Sequence, residues 1–315
     1  MKTCVIVNQN SGAAALHSQR IAELASACGN CLTVTEAEQF RDSVRATAAS
    51  GCERIIVAGG DGTVSLAANI LASDFPAVEL ALLPLGTGND FARSLDIAVN
   101  DIERAFAQAV NGTAYALDIG EARWTSDEGE SGTLFTNMAH GALSGLVAHD
   151  VVDDDKQRWG AFAYWMTALG RLVDAREYPL KVELDEAELD MQAYGALIAN
   201  GRYVGGGFPA APHALLQDGL FDVVLIPVLP TLDLVGTGLD LWFGSEQIDE
   251  RIRVTRTANV RLSGPEPIPF SIDGEAISVH EISFQIRPRA LPVVVGENPP
   301  ALQSNRDLQG ELSAS

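Results

Sequence analysis

Residues 55–64 read Ile-Ile-Val-Ala-Gly-Gly-Asp-Gly-Thr-Val. The apolar residues 55–57 have the pattern of a buried strand, and residues 63–72 that of a helix. Between them stand Gly59, Gly60, Asp61 and Gly62. A glycine-rich turn from strand to helix lets the backbone approach an anion, with the first N–H groups of the helix aimed at it. Thr63 can cap the helix or bond a phosphate. Asp61 repels phosphates unless a cation stands between, which favours Mg²⁺. The residues alone leave a second reading open, a tight Asp-Gly turn with an N-cap.

The same alternation extends on both sides. Residues 4–7, 32–34 and 80–83 read as further strands, 17–28 and 37–49 as helices, 90–95 and 102–110 as shorter helices, and 115–119 as extended. Apolar strands separated by helices predict a doubly wound α/β domain with a parallel sheet covered on both faces. Ligands of such sheets bind beyond the carboxyl ends of the strands. A second glycine cluster, LPLGTGNDFARSL at residues 83–95, also leads from strand to helix, with Asn89 in a capping position. There is no G-x-x-x-x-G-K-[ST] loop, and Asn8-Gln9-Asn10-Ser11-Gly12 stands where a dinucleotide fingerprint would.

After Gly120 the pattern changes. Residues 182–189, 193–200, 221–227, 251–262, 270–279 and 282–287 read as strands in series, which predicts a β-rich, sandwich-like domain. Two helical patterns interrupt them, at 156–175 and 232–243. The first carries Phe162, Trp165, Met166, Leu169, Leu172 and Val173 on one face. That face either packs on the β-domain or, with Lys156, Arg158, Arg171 and Arg176 nearby, meets lipid. The expected division is an α/β domain at 1–122, a β-rich domain at 123–295 and a flexible tail at 296–315.

The charge is lopsided, with 21 Lys and Arg against 42 Asp and Glu, a net −21. Such a surface opposes binding to nucleic acid and adsorption to anionic membranes, so a phosphate ligand needs a local site. Cys28 and Cys31 form a CxxC without a second pair to complete a metal site, and with Cys4 and Cys52 they read as reduced thiols. The five histidines show no ligand spacing. No apolar run reaches membrane-spanning length, which predicts a soluble, cytoplasmic protein that associates with membranes transiently if it handles lipid.

Five stretches occur in an order seen elsewhere: residues 8–12, GGDGT at 59–63, PLGTGNDFAR at 84–93, NGRYVGGGFPAAPHALLQDGLFDV at 200–223 and SIDGE at 271–275. In this order the chain resembles the diacylglycerol kinase catalytic-domain family, which includes bacterial soluble lipid kinases, sphingosine kinases and ceramide kinases. The resemblance spans residues 4–287. It implies ATP held by Asn8, Gln9, Asn10, Ser11, Gly12, Thr35, Gly59, Gly60, Asp61, Gly62, Thr63, Val64, Ser65 and Thr87. It implies a metal ion held by Asp218 and the carbonyls of Leu215 and Leu220, an acidic network of Asp61, Asp118 and Asp218, and Glu275 as general base. From the residues alone, Asp218-Gly219 and Asp273-Gly274 are equally turns, with Glu275 a solvent-facing strand residue.

The implied activity is Mg²⁺-dependent transfer of the γ-phosphoryl group of ATP to a lipid hydroxyl, with a diacylglycerol-like acceptor presented by a membrane. The second domain is expected to supply Asp218 and Glu275. The chain departs from the family pattern at Gln9, where many members have proline, at Ser65-Leu66, commonly Asn-Glu, and at Gln217, often Asp. An NAD kinase-like phosphotransferase is a second reading, against which PLGTGNDFAR and SIDGE speak. A degenerate kinase serving as a lipid- or nucleotide-binding regulator is a third, towards which Ser65-Leu66 and Gln217 lean. The oligomeric state is open, a homodimer included.

Overall fold

The structure is a computed structural model and describes residues 1–10, 14–27, 31–126, 129–142, 176–228 and 253–302. It divides into two compact units, Met1–Ile119 with Leu215–Gly219 and Arg287–Ser315, and Gly120–Ala214 with Leu220–Ile286.

The first unit runs β1 (Thr3–Asn8), α1 (Ala14–Ala27), β2 (Cys31–Thr35), a 3₁₀ turn (Ala37–Gln39), α2 (Phe40–Ala49), β3 (Arg54–Gly59), α3 (Asp61–Asp74), β4 (Glu79–Pro84), α4 (Asp90–Ser94), α5 (Ile102–Asn111) and the start of β5 (Ala114–Ser126). Its strands lie in the order β2-β1-β3-β4, all parallel. The end of β13 (Glu275–Val294) adds to β4 in parallel through Val293 and Leu80. Val5, Ile6, Ile55 and Ile56 are fully buried, as a sheet covered on both faces requires. Helices α1, α2, α3 and α5 pack on its strands. At the end of α5 the buried Arg54 guanidinium donates to the carbonyls of Ala109, Val110 and Gly112 and pairs with Glu79. A cation there satisfies carbonyls the helix leaves open and complements its dipole.

One expectation fails in this unit. Cys4 and Cys52, read as free thiols, pair as a disulfide, with 6.4 Å between their Cα atoms. The parallel pairing of β1 with β3 brings the start of one strand to the residues preceding the other, a closeness that 48 residues of separation conceal.

The second unit holds the rest of β5, then β6 (Gly129–Phe135), β7 (Met138–Gly141), β8 (Tyr178–Leu184), β9 (Glu188–Ala199), β10 (Phe221–Pro227), β11 (Arg253–Thr257), β12 (Asn259–Ile272) and most of β13. Its order is β11-β10-β9-β7-β12-β13, with β8 paired to β9 and β12, and β6 paired to β5. Phe135 stacks on Phe221 with ring centroids 5.7 Å apart and meets Phe284 edge-on at 6.0 Å. Gly120 faces the Phe135 ring, where any side chain would collide with it.

Several boundaries differ from the sequence pattern. The single strand expected at 182–189 is a hairpin, β8 turning into β9. The strand expected at 251–262 breaks at Ala258, where the chain leaves β10 and joins β8 and β13. Both breaks meet at Asp185. Its carboxylate accepts from Thr257 Oγ1 at 2.7 Å, from the N–H groups of Ala258 at 2.8 Å and Asn259 at 3.1 Å, and from Asn259 Nδ2 at 2.7 Å. The Thr257 hydroxyl, then the Asn259 amide, hold this carboxyl down at about 2. The run 270–279 likewise spans a turn at Asp273-Gly274. Strands β6 and β7 have no counterpart in the sequence reading. The helical patterns at 156–175 and 232–243 lie outside the described residues, as does the tail beyond 302. The expected boundary at 122 sits close to the observed one, but Leu215–Gly219 and the chain from Arg287 return to the first unit.

Candidate functional site

In the first unit, β1, β2, β3 and β4 end at Asn8, Thr35, Gly59 and Pro84. Register sets Asn8 beside Thr35 and Gly59 beside Pro84. The turns into α3 and α4 interlock at this edge. A Cβ placed on Gly86 would stand 2.6 Å from Gly60 Cα, so only glycine fits there. Leu85 N–H donates to the Gly59 carbonyl at 2.8 Å, and Asp61 Oδ1 accepts from Phe91 N–H at 3.3 Å. Asn89, with φ of 52°, accepts from Gly86 N–H at 2.9 Å and donates to its carbonyl at 2.6 Å. It therefore locks its own turn, and α4 has no side-chain cap.

Asn8 Nδ2 donates to Thr63 Oγ1 at 3.0 Å, which ties the first loop to the GGDGT turn. Asn10 N–H donates to Asn8 Oδ1 at 3.2 Å, and Gln9 N–H to the Thr35 carbonyl at 3.0 Å. The N-cap of α3 is Gly60 rather than Thr63. The first bond of that helix is Val64 N–H to the Gly60 carbonyl at 3.0 Å. The N–H groups of Gly62 and Thr63 precede it, at the end of a helix that attracts anions. Gly62 and Thr87 are exposed, and Gly60, Asp61 and Thr63 are half-buried. Val64 and Ser65 point inward and are buried, as is Thr35, whose hydroxyl accepts from Ser43 Oγ at 3.2 Å. Ser11 and Gly12 lie outside the described residues.

Asp118 is fully buried in the same unit. Its Oδ1 accepts from Arg289 N–H and its Oδ2 from Gly219 N–H, both at 2.7 Å. Its own N–H donates to the Leu216 carbonyl at 2.7 Å. Burial pushes this carboxyl up, and the two amides pull against that. Asp118 thus joins β5, the loop 215–219 and the end of β13. Asp218 lies half-buried in that loop, before Gly219 at φ of 74°. Leu216 N–H also donates to the Ala301 carbonyl at 2.8 Å, and Gln217 Nε2 to the Ala116 carbonyl at 3.0 Å. The structure groups Asp218 with the first unit, where the sequence pattern gives it to the second.

The donors proposed around Asp218 are one carboxylate and the carbonyls of Leu215 and Leu220, all hard oxygens. Among the described residues no three His, Cys, Asp or Glu side chains converge as a metal cluster. An ion at this turn would complete its shell with water, which suits Mg²⁺ and does not suit Zn²⁺.

In the second unit, Glu275 is the exposed first residue of β13, following the two-residue turn Asp273-Gly274. Asp61, Asp118 and Asp218 therefore fall in one unit and Glu275 in the other. A further carboxylate went unread in the sequence. Asp222, inside the apolar strand FDVVLIP, is 3% exposed and has Arg256 Nε at 3.7 Å. Burial pushes its carboxyl up to about 6 against the pull of Arg202. An acidic residue within an apolar strand was the available signal. His140 is half-buried, and desolvation holds it down at about 4. Among the described residues no helix is long and apolar enough to cross a membrane.

Known families match both parts of the chain. The diacylglycerol kinase catalytic domain matches residues 2–122, and the YegS C-terminal NAD kinase beta sandwich-like domain matches residues 143–295. A "Probable lipid kinase YegS-like" of Pseudomonas syringae pv. tomato is 34% identical over 273 residues, covering 85% of this chain and 84% of that one. Its namesake in Pseudomonas aeruginosa is 31% identical over 264 residues, with 84% and 83% covered. The crystal structure of a diacylglycerol kinase from Bacillus anthracis str. Sterne superposes with a TM-score of 0.69 at 20% identity, covering 96% of this chain and 98% of that one. That likeness concerns the fold.

Proposed function

The chain belongs to the diacylglycerol kinase catalytic-domain family, and on that premise we propose that it is a lipid kinase that transfers the γ-phosphoryl group of ATP to a lipid hydroxyl, with Mg²⁺ as its metal and a diacylglycerol-like acceptor. The observation that carries this reading is the interlock of the GGDGT and PLGTGND turns at one strand edge, with Gly86 packed on Gly60 and Asn8 bonded to Thr63. Backbone donors at such an edge suit a polyphosphate, and phosphoryl transfer depends on positioning and charge neutralisation more than on covalent help.

In this reading the N–H groups at the start of α3 hold phosphate oxygens, and Asp61 orients the second turn through Phe91. Asp218 and the carbonyls of Leu215 and Leu220 hold Mg²⁺, which supplies positive charge to the phosphates. Asp118 keeps the loop of Asp218 in place. Glu275 accepts the proton of the attacking lipid hydroxyl as that oxygen bonds to phosphorus and the bond to ADP breaks. The exposure of Glu275 suits a partner that arrives at a membrane surface.

The test is incubation of the protein with Mg²⁺ and ³²P-labelled ATP in the presence of diacylglycerol micelles or a total lipid extract. Label in phosphatidic acid is expected. Label only in another lipid would revise the acceptor, and absence of label from every lipid would overturn the reading.

A further inference from the structure

Glu275 is exposed, and its carboxylate has no hydrogen-bond partner among the described residues, so its backbone sets its place. That backbone begins at one of the tightest turns possible. Ile272 pairs with Glu275, and only Asp273 and Gly274 lie between, at φ of 44° and 94°. Two positive φ values suit a two-residue hairpin, and that geometry needs nothing further from the Asp273 side chain.

The side chain nevertheless takes four donors from another segment. Oδ2 accepts from Thr136 N–H at 2.7 Å and Thr136 Oγ1 at 2.9 Å. Oδ1 accepts from Asn137 N–H at 3.1 Å and Met138 N–H at 3.0 Å. The Asp273 N–H donates to the Met138 carbonyl at 3.1 Å. Residues 136–138 are anchored in turn. The fully buried Asn200 donates through Nδ2 to the Thr136 carbonyl at 2.7 Å and through its N–H to the Asn137 carbonyl at 2.9 Å. Asn137 Nδ2 donates to the Tyr203 carbonyl at 2.8 Å. The hairpin tip is therefore fixed to the sheet by charge-assisted bonds across 135 to 137 residues of chain.

We propose that Asp273 is a positioning residue for phosphoryl transfer. It aims Glu275 through the turn without touching substrate, an inference that rests on the reading of Glu275 as the base. The aspartate of SIDGE has then a task separate from the glutamate two residues on. Loss of it displaces the base by a fraction of the hairpin's width, and small displacements of a reacting group cost about 100-fold in rate.

The experiment is a double-mutant cycle in lipid phosphorylation with Asp273→Asn and Glu275→Gln. Asp273→Asn keeps the volume and loses an acceptor that the backbone N–H groups need. It is expected to lower kcat by about 10- to 100-fold while the KM for ATP stays within about twofold. In the Glu275→Gln background the same change is expected to cost less than about twofold, because the group it aims is gone. Equal fold losses in both backgrounds, or no loss in the wild-type background, overturn the proposal. Full activity of Glu275→Gln alone overturns the base reading instead. Thr136→Val, which removes one donor and leaves the three backbone bonds, keeps the question open to measurement if Asp273→Asn does not fold. A several-fold kcat loss that disappears in Glu275→Gln supports the proposal, and an unchanged kcat counts against it.

Discussion

Each unit holds one carboxylate proposed for chemistry and a second that holds the first in place, and the two pairs are built differently. In the first unit Asp118 is fully buried and takes one amide from Gly219 and another from Arg289. In the second, Asp273 is half-exposed and takes four donors from residues 136–138. A buried carboxylate joined to two distant segments couples its site to the stability of the whole unit. A half-exposed one keeps part of its own hydration, and although its donors Thr136, Asn137 and Met138 are buried, its bonds fix one hairpin tip and so chiefly affect geometry. The difference teaches that neighbouring acids in a motif are told apart by where their lone pairs are spent. Asp118 and Asp273 spend theirs on backbone amides, with the Thr136 hydroxyl added at Asp273.

The sharpest way to break this comparison is to remove both holding groups and compare stability. Asp118→Ala leaves the N–H groups of Gly219 and Arg289 without their acceptor and opens a cavity, for a loss of about 3 kcal/mol. Asp273→Asn is expected to cost less, about 1 kcal/mol, since the asparagine carbonyl oxygen still accepts from part of the same donor set. Urea denaturation of both variants checks the order. Equal losses would erase the distinction between a staple of the fold and a holder of geometry. Asp118→Ala is also expected to weaken Mg²⁺ binding, read by the metal concentration needed for half-maximal thermal stabilisation. An unchanged midpoint would separate Asp118 from the 215–219 loop.

A third carboxylate, buried like Asp118, sharpens the contrast, because among the described residues Asp222 lacks the amides that Asp118 has. Burial pushes its carboxyl up to about 6, where an aspartate in water ionises near pH ~4. Below pH ~4 the folded and unfolded forms both carry the proton. Between about 4 and 6 the unfolded form ionises while the folded one resists, so the contribution to stability falls as pH rises and is lost above about 6. A rise of that size corresponds to roughly 2–3 kcal/mol. Asp222→Asn mimics the protonated group. The melting temperature of this variant is expected to match wild type at about pH 4 and to exceed it at about pH 7. A constant difference across that range would show that the carboxyl does not titrate in the fold.

How far these features were legible in the sequence follows from the same physics. Strands β1, β3 and β4 are runs of buried apolar residues between helices of regular period, so the α/β unit could be read without pairing information. The two glycine turns could be read because only glycine tolerates contacts such as that of Gly86 with Gly60. The holding bonds could not. Asp118 reaches Gly219 across 101 residues and Arg289 across 171, and Asp273 reaches Thr136 across 137. Bonds from a side chain to distant backbone leave no period in the chain. The return of residues 215–219 to the first unit was hidden for the same reason, as their letters read only as a turn before a strand.

The smallest effect belongs to a carboxylate with as many donors as Asp273 and no proposed chemistry beside it. Asp185 is exposed, yet Thr257, Ala258 and Asn259 supply its oxygens with hydrogen bonds and hold the carboxyl at about 2. A depressed value means stability present above the unfolded value near ~4 and lost as pH falls from about 4 to about 2. Solvent screening at an exposed site reduces the gain well below what the depression alone would imply, to about 1 kcal/mol. Asp185→Ala is therefore expected to lower the melting temperature by a few degrees at about pH 7, with the gap closing towards about pH 2. Lipid phosphorylation at neutral pH should stay at the wild-type rate. If Asp185→Ala lowered kcat as Asp273→Asn is expected to, donor-rich carboxylates would matter through general rigidity of the β-rich unit. The special claim of Asp273 on Glu275 would then fail with it.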